Sequence, residues 1–222
     1  MFLAGERGHT EAGWFRSYNT FNFGNYRHEH KTPFGGLFVL NDDTLAGGKH
    51  LNLLVEEDAL IVLIPTVGAV IYSDSLGNES LLEAGQVQVL ATPAGTSFLV
   101  GNAYEEELIN FIQLWIRHPA SANGVPILSG IDLNSHRNQL VEIATGSAGH
   151  TCFIGKFTGR EEAIHKMARN SNGLFVFVLE GAFEVQNRLL ETRDGLALWN
   201  LNEAELEALS NDAIILLIEI PV

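Results

Sequence analysis

LIPTVGAVIYSDSLGNESLLEAGQVQVL, from Leu63 to Leu90, and VFVLEGAFEVQNRLLETRDGLALW, from Val176 to Trp199, carry one order of events. Each runs an apolar strand into Gly-Ala (Gly68, Ala69; Gly181, Ala182). A second strand follows, then a polar turn, Leu-Leu-Glu, and a Gly that opens a further strand. The first turn, SDSLGNES, is longer than the second, QNR. A strand-type pattern repeated at this distance reads as a duplicated β domain.

Working outward, short runs rich in Val, Ile, Leu and Phe fill the rest of the chain: GLFVLND, ALIVLI, TSFLVGN, LINFIQLWI, TCFIGKF and AIILLIEI. Turn residues separate many of them, a spacing typical of sandwiches and barrels. Helix signals are scarce. LNEAELEAL has Asn202 as a cap residue, but a strand alternating Glu and Leu explains it as well. HPASANGVPILSGIDLNSHRN, from His118 to Asn138, is rich in Pro, Gly, Ser and Asn and reads as a linker. The expected boundaries are a first domain over 1–118, a linker over 119–138 and a second domain over 139–222.

Composition narrows the function classes. The 222 residues are 46% apolar, enough for a real core. Twenty-seven acids against 13 Lys and Arg give a formal charge of -14. A nucleic-acid binder needs a basic face to displace counterions, and none is visible, so no nucleic-acid partner is expected. No window of 18 apolar residues suggests a membrane helix, and MFLAGERGHTEAG lacks the pattern of a secretory signal. The single cysteine, Cys152, forms no internal disulfide, which suits a reducing cytoplasm. Within HTCFIGKF it reads as a small buried hydrophobe rather than a nucleophile.

The order strand, Gly-Ala, strand, polar turn, Glu-x-Gly, strand, PAG resembles a cupin barrel. The N-terminal segment ERGHTEAGWFRSYNTFNFGNY, followed by FGGLFVLNDD, is similar to the opening of the pirin family. Arg7, Gly8, His9, Gly13, Trp14, Tyr18, Thr20, Phe21, Phe23, Asn25, Tyr26, Asn41 and Asp42 fit that pattern. So do SDSLGN (Ser73 to Asn78), PAGT (Pro93 to Thr96) and QLWI (Gln113 to Ile116). The resemblance covers nearly the whole chain and looks closest to bacterial pirin-like bicupins, some of which act as quercetin 2,3-dioxygenases. It implies an all-β bicupin: two antiparallel β-barrel or jelly-roll cupin domains in one chain.

The resemblance also implies one divalent ion in the first barrel, usually iron, held by His-x-His before the first long strand and His-x-Glu after the Ala-Gly-Thr turn. Three imidazoles and one carboxylate suit Fe(II) and leave positions open for substrate or oxygen. Counting back from Gly68 places the first pair on Leu54 and Glu56. Counting forward from Gly95 places the second on Val100 and Asn102. None keeps the family's ligand. Leu54 and Val100 have no donor atom, Glu56 offers one carboxylate, and Asn102 offers a weak amide oxygen. The general cupin spacing puts the late His on Phe98. The four positions are therefore expected to form a vestigial metal-site pocket, with buried Leu54 and Val100 filling it and Glu56 turned toward water or Lys49. HLNLLVEED, from His50 to Asp58, then reads as a vacated site whose acids Glu56, Glu57 and Asp58 form a solvated turn.

Other candidates carry bland readings. His28 and His30 have His-x-His spacing, but NYRHEHKTPF reads as a polar loop. Upstream of Gly181 the ligand spacing lands near Met167, Arg169 and Leu174. His150 and His165 read as surface or hydrogen-bonded core residues. Trp14, Phe15, Tyr18, Phe21, Phe23 and Tyr26 read as the inner face of the first strands. Glu105 to Glu107, and Glu203, Glu205 and Glu207, read as solvated faces. The expected function is a pirin-like bicupin lacking the family's metal site, with no cofactor and no catalytic residue, acting as a small-ligand-binding or protein-interaction module. The alternative is a quercetinase-like dioxygenase with an atypical or relocated metal site. No membrane partner is expected; the ligand, protein partner and oligomeric state are not legible.

Overall fold

The computed structural model describes residues 1–119, 126–145 and 149–222. Almost all regular structure in it is strand, as the short β-branched and aromatic runs require. Two compact units emerge. One holds Gly8–Pro33 and Leu37–Ile131; the other holds Met1–Arg7, Phe34–Gly36 and Asp132–Val222.

The first barrel contains β1 (Gly8–Ala12), β2 (Phe15–Asn19), β3 (Leu37–Leu45), β4 (His50–Leu54), β5 (Ala59–Val67), β6 (Ala69–Asp74), β7 (Glu79–Glu83), β8 (Gln86–Thr92), β9 (Ser97–Asn102), β10 (Ile109–Arg117) and β11 (Ile127–Gly130). Seven of them form one sheet in the order β1-β2-β3-β10-β5-β8-β11, and four form a second in the order β4-β9-β6-β7. The pairings are antiparallel. Alternate residues of the two sheets meet in one core: Val39, Leu45, Ile61, Leu63, Leu90, Phe111 and Trp115 from the larger, and Val70, Tyr72, Leu82, Phe98 and Val100 from the smaller.

The second barrel contains β12 (Leu140–Thr145), β13 (Thr151–Phe157), β14 (Glu162–Lys166), β15 (Asn172–Glu180), β16 (Phe183–Val185), β17 (Arg188–Leu190), β18 (Gly195–Leu198), β19 (Glu203–Ala208) and β20 (Ala213–Pro221). Its sheets run β12-β13-β20-β15-β18 and β14-β19-β16-β17. Its core gathers Phe157, Leu174, Val176, Phe183, Leu206, Ile215 and Leu217.

The duplicated Gly-Ala has a backbone reason. Gly68 joins β5 to β6 and Gly181 joins β15 to β16, with φ of 79° and 75°. That region of backbone space suits glycine, so the sharp corner recurs with its residue. The ambiguous LNEAELEAL segment is strand β19, with Ala204, Leu206 and Ala208 turned to the core.

The domain boundaries differ from the sequence expectation of 1–118, 119–138 and 139–222. Part of the expected linker is strand β11, which pairs with β8 from Ile127↔Val89 to Gly130↔Gln86; residues 120–125 of that linker lie outside the described residues. Residues 1–7 and 34–36 belong to the second unit. There Phe2 N donates to Gly195 O at 2.7 Å and Gly195 N returns a bond to Phe2 O at 2.8 Å. Phe34 lies 5.8 Å from the Phe175 ring. Among the described residues no helix is long and apolar enough to cross a membrane.

Candidate functional site

Of the positions to which the resemblance assigns metal ligands, Leu54, Val100 and Asn102 lie in the smaller sheet of the first barrel and Glu56 in the loop after β4. In β4, Leu51 and Leu53 pack on the core, while Leu54 is 55% exposed. On β9, Val100 is fully buried in the core. Register pairs Leu51 with Val100, Leu53 with Phe98, and Leu54 with Ser97. The expectation that Leu54 and Val100 are both buried therefore needs correction for Leu54. The strand alternates, so Leu54 falls on the opposite face from Leu51 and Leu53.

Glu56 is exposed to water. Asn102 is buried, and its amide is spent on backbone: Nδ2 donates to Leu45 O at 3.0 Å and to Glu107 O at 2.7 Å, and Oδ1 accepts from Tyr104 N at 2.9 Å. Asn102 thus pins the loop of Glu105 to Glu107. Of the four positions, two are buried and two exposed. On the core-facing side of β4 and β9, Leu51, Leu53, Phe98 and Val100 supply only carbon.

Two of the three acids of HLNLLVEED have structural partners. Glu57 takes a two-pronged bond from Arg117, Nε to Oε2 at 2.8 Å and Nη2 to Oε1 at 3.1 Å. Asp58 Oδ1 accepts from Ala94 N at 2.8 Å, which ties the PAGT turn to the start of β5. His50 is exposed at the head of β4. In the HEH loop, His28 Nδ1 accepts from His30 N at 3.2 Å, and His30 lies 3.2 Å from its neighbour Glu29, both highly exposed. Among the described residues no three His, Cys, Asp or Glu side chains are grouped so as to hold a metal ion.

Of the N-terminal aromatics, Phe15 and Phe23 pack on the core and Phe21 is fully buried, while Trp14 is 39% exposed. Tyr18 stacks on His9 with ring centroids 4.8 Å apart, and Tyr26 lies against Gly8. The inner-face reading fits Phe15 on β2; Phe21 and Phe23 pack from the segment that follows that strand.

In the second barrel His165 is a buried residue whose Nε2 lies 3.0 Å from Glu219 Oε2. Glu219 is 2% exposed and also accepts from Asn172 Nδ2 at 2.7 Å and Ala168 N at 2.9 Å. A buried carboxylate with this many donors is held in place rather than free to react. Burial, with Glu142 adding to it, pushes the Cys152 thiol up to about 12, so it has no thiolate character near neutrality.

Sequence reading missed the polar interior of the first barrel. Asn41 and Asp43 alternate with Val39 and Leu45 along β3 and so face the core, where Asp43 is 0% exposed. Burial pushes the Asp43 carboxyl up to about 7. Bonds from Ser17 and Gln113 oppose the rise, and the charge of Asp42 adds to it. Gln113 Nε2 donates to Asp43 Oδ2, and Gln113 Oε1 accepts from Trp115 Nε1 at 2.8 Å. The signal was present in GLFVLNDDTL, two polar residues at strand period inside an apolar run.

With this geometry in hand, known proteins give consistent matches. Residues 3–116 match the family model described as Pirin, and residues 150–220 match the one described as quercetinase C-terminal cupin domain. A quercetin 2,3-dioxygenase of Escherichia coli K12 is 25% identical over 227 residues, which take in 98% of this chain and 96% of that protein. A putative quercetin 2,3-dioxygenase of Pseudomonas aeruginosa is 28% identical over 237 residues, covering 96% and 95%. The crystal structure of YhhW from Escherichia coli superposes with a TM-score of 0.88 at 24% identity, covering 99% of this chain and 96% of that one.

Proposed function

Given that the chain belongs to the pirin family, we propose that it is a bicupin without the family's metal site, serving as a small-ligand-binding or protein-interaction module rather than a metal-dependent dioxygenase. The observation that carries this reading is the donor set. Leu54, Glu56, Val100 and Asn102 stand where the resemblance assigns three imidazoles and a carboxylate. The register supports this reading, since the core-facing pairs of β4 and β9 are Leu51 with Val100 and Leu53 with Phe98, while His50 is exposed opposite Gly101. Glu56 and the committed amide of Asn102 do not suit a transition metal. Opening a flavonol ring with O2 needs a redox metal to hold substrate and oxygen together, and this donor set does not suit one.

The alternative is a quercetinase-like dioxygenase with an atypical or relocated site. The near full-length match to proteins named quercetin 2,3-dioxygenase favours it.

The experiment pairs metal analysis with turnover. Protein expressed in iron- and zinc-supplemented medium and dialysed is expected to hold far less than one transition metal per chain. Aerobic incubation with quercetin and added Fe(II), Mn(II), Ni(II) or Cu(II) is expected to match buffer, and thermal melting to be the same with and without EDTA. One retained metal per chain, or a chelator-sensitive rate proportional to protein, refutes the reading.

A further inference from the structure

The larger sheet of the first barrel carries a polar band on its inner face. Register aligns Asn19, Asn41, Gln113, Leu63 and Gln88 in one row across β2, β3, β10, β5 and β8. Ser17 and Asp43 face one another in the adjacent row. None of the polar members is more than 3% exposed.

Part of the band closes on itself. Trp115 donates to Gln113, and Gln113 to Asp43. Asn19 Nδ2 donates to Ser17 Oγ at 2.9 Å, and Ser80 Oγ donates to Gln88 Oε1. Four atoms stay open: both amide atoms of Asn41, Oδ1 of Asp43 and Nε2 of Gln88. Exchanging the amide nitrogen and oxygen of Asn41 does not help, because both lack partners. Buried polar groups in folded proteins are almost always satisfied, and where protein atoms do not do it an enclosed molecule does.

The open atoms select the chemistry of that molecule. Asn41 Nδ2 and Gln88 Nε2 are donors and Asn41 Oδ1 is an acceptor; Asp43 Oδ1 accepts, or donates when the carboxyl carries its proton. Amide N–H groups repel a cation, and the lone pairs of the Asn41 and Asp43 oxygens repel an anion. What fits is small, neutral, and able both to give and to accept hydrogen bonds.

We propose that this band is an internal binding site for a small neutral hydrogen-bonding molecule, bridged between Asn41 and Asp43. Water and a small polyol or amide share this chemistry. The site lies on the sheet opposite β4 and β9, and it does not rest on the function proposed above.

Crystals of the full chain grown without polyols or amides test it, with parallel soaks in glycerol and in formamide. Ordered density is expected within hydrogen-bond distance of the Asn41 amide and Asp43 Oδ1 in the additive-free crystals. Exchange of that density in the soaks identifies a site for organic solutes; unchanged density identifies a water site. The proposal is overturned if the interior is empty, if Asn41 and Asp43 bond directly to one another, or if density appears only at soak concentrations.

Thermal melting of Asn41→Leu gives a second readout with opposite signs. With an empty interior, Leu replaces an unpartnered amide and the Tm rises, which also overturns the proposal. With a bound molecule, Leu evicts it and leaves Asp43 Oδ1 without a partner, and the Tm falls by several degrees.

Discussion

Asp43→Asn is the most informative single change. Asparagine keeps the shape of the side chain and removes its ionisation. Burial raises the folded-state pKa from 3.8 to about 7, with Asp42 adding and Ser17 and Gln113 opposing. A raised carboxyl pKa means that the folded chain holds a proton that the unfolded chain has lost. Between the two values the unfolded state binds fewer protons, so this group's contribution to stability falls as pH rises. It is fully present below the unfolded value and is spent once pH passes about 7. At about 1.4 kcal/mol per tenfold change in proton activity, the contribution drops by about 2 kcal/mol between pH 5 and pH 7. Urea unfolding of wild type and variant at pH 5, 6, 7 and 8 reads this directly, because taking the difference cancels the other titrating groups. Wild-type stability minus variant stability should shrink by about 2 kcal/mol over that range. A flat difference, or one that grows with pH, would mean that the carboxylate is ionised in the folded barrel, and the reasoning would be refuted.

Glu219→Ala strips the acceptor from His165, Asn172 and Ala168 in the core of the second barrel. Chemical denaturation should register a loss of about 3 kcal/mol. A loss under about 0.5 kcal/mol, the scale of an ordinary surface change, would mean that the network is not formed. Gly68→Ala forces a side chain onto a corner with φ of 79° and brings its Cβ within 2.6 Å of Ile109. A destabilisation of about 1–3 kcal/mol is expected from unfolding curves, and an unchanged midpoint would contradict that geometry. Cys152 should react with a disulfide reagent only after denaturant is added, since burial holds its thiol at about 12. Rapid labelling of the native protein would show the thiol to be accessible.

Legibility followed the range of the interactions. The duplicated Gly-Ala corner, the strand runs and the strand nature of most segments were readable because each is set by local period and backbone preference. HLNLL and EAIHK were not recognised as strands, because their faces are defined by distant partners, β9 and β19. ILSG at Ile127–Gly130 has no alternation at all, since every residue of this edge strand is exposed. At the candidate site, counting along the sequence reached Val100 and Asn102 but not the face on which Leu54 falls. Strand parity depends on where pairing begins, and one residue changes the side. Asn41 and Asp43 could have been placed inside by extending the alternation of Val39 and Leu45.

Neither barrel is one continuous stretch of chain. Residues 1–7 and 34–36 complete the second unit, although all of residues 37–131 separate them from its body. Ala4 N bonds to Asp194 Oδ1 across 190 positions at 2.7 Å. Residues 1–7 therefore leave the ribosome before the first barrel and must wait, unpaired, until β18 has been made. The first barrel can close around its own core during synthesis; the second cannot finish until both early segments come back. Dividing the chain at its apparent midpoint yields a carboxy-terminal half whose Phe175 has lost both Phe2 and Phe34.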